Sequence, residues 1–419
     1  MGNLLHIAPT LLFNLAVPTF FALTFMGGFG VGYVIAGVWL SARKPHQPGG
    51  NKLSLRSPLL AGVIVAFSVV VIGNLDGAMQ VLQSTVGCVF TGCDGLFKDG
   101  TITFDFWRSS RMMGPDPPGF EITEFPFFTF LFGDLHPHMM ALPFTLFSIC
   151  VLFSVFLRFV LSEKLDKTMA IVGCGVLGVS IGSLRLLNTW DYPIYLILAI
   201  GILFLANYIR YGGGGLLVFI RSSAYALWVF GIGFLVFLPF HLTYIFPIDT
   251  SGILPIVKTT NTTTVVQFLS IFGFFFVIVF WMLFSEILKK IDGTPLSYLW
   301  RNMGIFKKGL VLIVFICVLS GVLWWLSLYT GETVVLMLPV LCCLSALLFF
   351  NIRARTSITT VSQVYILFIL AVAVLEVVGV EFFRLENDID RMNTVFKAYF
   401  QIWVLFSIVA GVFLWRYCL

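Results

Sequence analysis

Charge is the property this sequence has least of. Asp, Glu, Lys and Arg make up 11% of its 419 residues, and hydrophobic residues make up 59%. A soluble chain carries roughly 25% charged residues, so a soluble globular class is excluded. Short alternating strands are missing too, which excludes an outer-membrane β-barrel. The first residues carry no basic stretch and no small-residue cleavage motif, so the first apolar segment is expected to persist as a helix. No CxxC pair and no zinc-type Cys/His spacing occurs. Six of the eight cysteines lie in apolar segments and read as inert core residues. Cys88 and Cys93 share a polar loop and are open to a disulfide or to free thiols, depending on the compartment. The glycine tract at 212–215 lacks a following Lys-Ser/Thr and reads as a flexible helix start, not a phosphate loop. The net charge of +5 is not a nucleic-acid footprint, and no nucleic-acid partner is expected; its distribution along the chain explains it.

Apolar runs of about 20 residues, the length that crosses a bilayer as a helix, recur from end to end. About eleven are expected, near residues 10–41, 58–83, 139–161, 168–187, 191–209, 215–240, 265–288, 309–328, 331–350, 357–381 and 396–416. The expected fold class is an all-α polytopic membrane protein, with residues 1–419 forming one integral membrane domain. A loop at 84–138 separates the second and third spans, and a charged loop at 382–395 precedes the last. With the N-terminus outside, 17 of the 25 basic residues but only 4 of the 20 acids fall on the inside, as the positive-inside rule requires. A multi-pass protein of the cell (plasma) membrane with a cytoplasmic C-terminus is therefore expected.

This topology puts the polar clusters on the external side. In EFPFFTFLFGDLHPHMMALPF (124–144), Glu124, Asp134, His136 and His138 stand among phenylalanines and prolines, in a stretch apolar enough to lie along the membrane. A carboxylate with two imidazoles can hold a divalent cation or exchange a proton. Asp134 and Pro137 equally suit a helix start. Asp76 directly follows an apolar run, near the external end of the second span, where an acid is costly unless paired or used, although an interfacial carboxylate in water would also sit there. LRLLNTWDYPIYL places Asn188, Trp190 and Asp191 in a tight hairpin, as ligand contacts or as turn and interface residues. Arg391, Asn393 and Lys397 open the last helix, where they suit a phosphate or belong to a solvated charged loop. Arg108 and Arg111, in FWRSSRMM, are a second anion contact or a headgroup-snorkelling pair. Asn261 heads a glycosylation-type triplet.

Several of these stretches carry a family likeness. ITEFPFFTFLFGDLHPHMMALP, LLNTWDYPIY, DIDRMNTVFKAYFQIW, FNLAVPTFFALTFMG and GNLDG resemble the YYY membrane-protein family of archaea and filamentous green bacteria, over nearly the whole chain. That family is similar to the GT-C clan of glycosyltransferases, in which an acid ends one span, membrane-lying helices follow, and a D-x-H-P-P-L type motif leads into the next span. Asp76 occupies the first position, and DLHPHMMAL resembles the motif with His138 in place of the second proline. The resemblance implies a GT-C-like fold with span 1 as an addition, and a polyprenyl-phosphate sugar donor used at the external face. Asp76 would be the general base. Glu124, Asp134 and the histidines would hold the acceptor or a divalent metal ion, the one cofactor candidate. Arg391 and Lys397 would neutralise the lipid phosphate. Membrane lipid and a partner protein supplying specificity complete the expected partners. The rivals are a non-catalytic scaffold subunit of a larger assembly and a transporter, which would bury ionisable residues in mid-span.

Overall fold

The computed structural model describes residues 7–41, 57–91, 97–98, 101–102, 104–113, 115–116, 119–120, 122–244, 257, 262–291, 327, 330–354, 358–385 and 391–418. Among the described residues the protein is a helix bundle. Nine helices are long and apolar enough to cross a membrane. These are α1 (Pro9–Ser41), α6 (Pro137–Leu161), α7 (Lys167–Leu187), α8 (Asp191–Tyr211), α9 (Leu216–Val236), α11 (Val265–Ile291), α12 (Glu332–Ala354), α13 (Ile358–Phe382) and α14 (Met392–Cys418). Shorter helices fill the connections: α2 (Pro58–Val70), α3 (Leu75–Thr91), α4 (Phe106–Ser109), α5 (Pro126–Phe132) and α10 (Leu238–Thr243). Two two-residue antiparallel pairings, Phe97–Lys98 with Thr101–Ile102 and Pro115–Asp116 with Gly119–Phe120, are the strands of the loop.

The expected second span, 58–83, is not one rod. It breaks after Val70, and α3 leaves at 82° to α2. The cause is local. Gly73 weakens the helix, and the Asn74 side chain accepts the Gly77 N–H at 3.2 Å, capping a new helix. The apolar run continues through the break, so hydropathy alone reads it as one span. The expected span at 309–328 and the Cys88–Cys93 question lie outside the described residues and side chains. So do Asn261 and most of the loops at 245–261 and 386–390.

The polar segments singled out in the sequence gather at one end of the bundle, called here the loop end. Helices alternate between it and the opposite end, where Arg210 donates to Phe159 O and Ser162 O at 2.8 Å and Trp415 donates to Ser57 O at 3.1 Å. The starts of α11 and α12 meet at the loop end, where Thr333 Oγ1 donates to Thr263 O at 2.7 Å.

The last helix, α14, is the centre of the bundle. In its apolar stretch 94% of the residues are buried within the protein, against 22% for α9. It packs against α2, α11 and α13, and Ser407 donates to Ser68 O of α2 at 2.9 Å. Close crossings rely on small residues, as is common where lipid leaves packing as the main drive. At Gly182 of α7, a Cβ would stand 2.5 Å from Gly233 O of α9, so only glycine allows that approach.

Candidate functional site

Asn74 starts the site as well as the helix. While its Oδ1 caps α3, its Nδ2 donates to Ser109 O at 2.6 Å, fastening α4 over the break. Asp76 is thereby set in the first turn of α3, where the helix amides favour an acid. Its carboxylate is saturated. Arg108 Nη2 reaches Oδ1 at 2.8 Å, and Oδ2 accepts from Arg108 Nε at 3.3 Å, Gln80 Nε2 at 2.8 Å and Ser109 Oγ at 2.9 Å. Burial alone would raise Asp76, but the bonds from Arg108, Gln80 and Ser109 outweigh it and hold the acid below the ordinary aspartate range. The pair is asymmetric: the Asp76 side chain is 11% exposed and that of Arg108 is 49% exposed.

The chain then hands polarity on, residue to residue. Thr123 N–H donates to Ser110 O at 2.9 Å, and Met112 N–H donates to Thr123 Oγ1 at 3.0 Å. This clamp lays Arg111 beside Glu124, with Nη2 3.5 Å from Oε1. The Arg111 guanidinium also sits 4.5 Å over the Trp107 ring. The other Glu124 oxygen lies 3.5 Å from His138 Nε2, an ion-pair distance at which neither His138 nitrogen makes a geometric hydrogen bond. Burial would raise Glu124, but His138 and Arg111 hold it below the ordinary glutamate range. The buried His138 ring is wedged edge-on between Phe396 and Phe400 of α14, at 4.9 and 4.7 Å.

On the same helix, the Lys397 ammonium lies 4.3 Å from the ring of Phe396, the residue that packs on His138, and Lys397 stands one turn before Gln401. Asp191 opens α8 and is fully buried. Its Oδ1 accepts from Asn188 Nδ2 at 2.7 Å and Gln401 Nε2 at 2.8 Å, and Tyr195 OH donates to Gln401 Oε1 at 2.8 Å. Among the described residues, nothing hydrogen-bonds to the buried Asp191 Oδ2 or to either Glu376 carboxylate oxygen. A polar ribbon thus runs from Asp76 at the bundle end, through Arg111, Glu124, His138 and Lys397, to Asp191 among the helices.

Some expected residues take other places. Asp134 pairs with its neighbour, Oδ2 to His136 Nδ1 at 2.6 Å, and both are half-exposed. His136 is the residue at which α6 begins, with Pro137 in the first turn. Its ring lies 5.4 Å from that of His138. Trp190 occupies the turn before α8, partly buried, and Asn393 the first turn of α14. Arg391, expected beside a phosphate, is turned inward. It is buried against Glu381 at 2.7 Å, and donates to Thr263 Oγ1 at 3.1 Å and Val380 O at 3.2 Å. Thr263 N–H donates to the other Glu381 oxygen at 2.7 Å. This knot fastens α13 and α14 to the start of α11.

Among the described residues no three His, Cys, Asp or Glu side chains come together as metal ligands. Asp134 and His136 face each other, and His138 is walled in by phenylalanines. The residues present do not form a site for the expected divalent ion. Sequence reasoning missed Gln80, Ser109, Tyr195, Gln401 and Glu381. Of these, Gln401 was the most visible, an amide inside an apolar helix four residues after Lys397.

An apolar groove of about 1020 Å³ lies between α1, α6, α7 and α9, lined among others by Met26, Phe147, Val176 and Trp228. None of the ribbon residues lines it.

The fold and this arrangement define a polytopic helical membrane protein. The chain belongs to a family described as uncharacterized membrane protein, DUF2298, whose profile matches residues 1–406. No curated protein and no solved structure matches it.

Proposed function

We propose that this chain is a membrane glycosyltransferase of the GT-C type, working at the loop end with a polyprenyl-phosphate sugar donor. One observation carries the reading. Asp76, in the first turn of α3, is joined through α4 and the clamp that follows it to the Glu124–His138 carboxylate–imidazole pair, with Arg108, Arg111 and Lys397 spaced along the same ribbon. Acids and cations in one strip supply what glycosyl transfer from a phosphate requires. In the reaction, an acceptor hydroxyl gives its proton to the Asp76 carboxylate. Its oxygen forms a bond to the anomeric carbon as the bond from that carbon to the phosphate oxygen breaks. The electron pair leaves with the lipid phosphate, and a nearby cation stabilises that charge. No covalent enzyme intermediate is needed. Glu124 orients the acceptor with the buried His138 positioning its carboxylate, and Asn188, Trp190 and Asp191 brace the far end of the ribbon from within the bundle. The apolar groove supports a long isoprenoid chain in the bilayer. The side of action is the external face of the plasma membrane, with the N-terminus outside, as the charge distribution favours.

A second reading has its own support. Asp76–Arg108 and Glu381–Arg391 are matched ion pairs, and Asp134 and His136 partner each other, which suits a non-catalytic scaffold subunit. Turnover separates the two. Purified protein in vesicles, given a panel of polyprenyl-phosphate hexoses and lipid or peptide acceptors, is expected to consume a donor, and Glu124→Gln is expected to slow it. A folded protein that consumes none of them supports the scaffold.

A further inference from the structure

Asp76 as found is a poor base, because its lone pairs are occupied by four donors. Something must uncover it, and the exposure of the pair shows from which side. Arg108 is the half-exposed partner, and its neighbours form an apolar shelf of large side chains. Phe106 is 41% exposed, Trp107 44%, Leu131 60% and Phe132 45%. Trp107 packs on Phe128 and Phe132 at 5.6 and 5.4 Å, which makes α4 and α5 one surface. Aromatic side chains around a cation match the headgroup layer of a bilayer, with rings in the acyl boundary and the guanidinium at phosphate depth. Arg111 completes the local charge over the Trp107 ring. Asp105, which caps α4 by accepting the Arg108 N–H at 3.0 Å, is the acid on the other side.

We infer that Arg108 on the Trp107 shelf is a receptor for a phosphate carried on a lipid, with Asp76 as its displaceable counter-ion. A phosphate offers the guanidinium fork the same two-oxygen face as a carboxylate. When it takes Arg108, Asp76 loses two of its four donors among the described residues, both from the guanidinium, and keeps Gln80 and Ser109. Its carboxylate then turns from a paired anion into an available base. Anion capture and base release become one event, so the base is uncovered only where a lipid phosphate is already seated. The link to base release rests on the transferase reading; the phosphate site itself does not.

The test reads binding without turnover. Protein in phosphatidylcholine nanodiscs is titrated with brominated phosphatidic acid or brominated phosphatidylcholine. The Trp107 signal is taken as wild type minus Trp107→Phe. Preferential quenching by the anionic lipid is expected. Arg108→Gln should lower that preference by roughly tenfold, the equivalent of one charge-assisted hydrogen bond. Asp76→Asn should raise it, because the competing carboxylate is gone; a structural role for the pair would instead make both variants lose it. Equal quenching by the two lipids, or a loss of preference in Asp76→Asn, overturns the inference. Displacement of the quencher by inorganic phosphate at the same concentration would assign the site to free phosphate and overturn the lipid assignment. Anionic preference in a protein that turns over no donor keeps this site and removes the transferase; turnover without anionic preference does the reverse.

Discussion

Two arginine–carboxylate pairs sit at the same end of the bundle, and they differ in almost everything but length. Arg108 meets Asp76 at 2.8 Å, and Arg391 meets Glu381 at 2.7 Å. The Arg391 and Glu381 side chains are 3% and 0% exposed, whereas Arg108 is 49% exposed. The difference lies in surroundings. Arg391 is locked between α13 and the start of α11, so its pair works as a fastener among helices. Arg108 sits on a four-residue helix at the surface, where, among the described residues, Asp76 holds its side chain and the Asp105 cap its backbone. Motif position suggested Arg391 as the phosphate contact, and the exposure of Arg108 is why the phosphate site is proposed there instead.

The comparison can be broken most decisively at the buried pair. Arg391→Met leaves Glu381 buried without its cation and is expected to cost about 3–5 kcal/mol, read as a lower midpoint of thermal unfolding in detergent. The double variant Glu381→Gln/Arg391→Met should recover much of that loss, since two neutral side chains leave no orphaned charge. A double variant as unstable as the single would show that the ion pair is not the fastener.

Asp76→Asn comes next. It removes the charge but keeps an acceptor for Gln80 or Ser109, so the loss of stability is expected near 1–2 kcal/mol. Chemical unfolding of the purified variant measures it. A loss as large as that of Arg391→Met would erase the distinction between the two pairs.

Glu124 gives a pH arm. Its native carboxyl is held below the ordinary range, so the stability it contributes is fully present above the unfolded glutamate value of about 4.3. That contribution is lost as pH falls through the lower native value. Glu124→Gln should flatten the acid limb of the stability profile, while the neutral limb keeps its slope. An unchanged acid limb would remove Glu124 from the ribbon.

The smallest effect on stability is expected from Arg108→Gln, within about 1 kcal/mol, as for an exposed ion pair. It is the variant expected to matter most for lipid phosphate. A melting midpoint indistinguishable from wild type, together with lost anionic-lipid preference, sharpens the comparison to its intended form.

The sequence already carried the class, the approximate spans and the clustering of polar segments at one end, because apolar run length and charge asymmetry are properties of the chain itself. Asp76, Glu124, His138 and Asp191 were visible as ionisable groups in apolar surroundings. What hydropathy could not carry was which apolar faces meet protein and which meet lipid, since both are equally greasy. The burial of α14 is therefore a tertiary fact, hinted at only by Gln401 and Ser407. The break at residues 71–74 was hidden because the run stays apolar through it, although Gly73 and Asn74 are its local signature. The partner of Arg391 was hidden for a related reason: a cation at a helix start suits an outside phosphate or an inside carboxylate, and Glu381 comes from the neighbouring helix.

The most direct test of the central claim is donor turnover by wild type and Asp76→Asn in the same vesicles, with folding checked by the unfolding midpoint. Wild type is expected to consume a polyprenyl-phosphate sugar, and the variant to lose at least about 100-fold, the scale of a removed general base. Equal turnover by the two proteins would contradict the role given to Asp76, and a folded wild-type protein that consumes no donor would contradict the transferase itself.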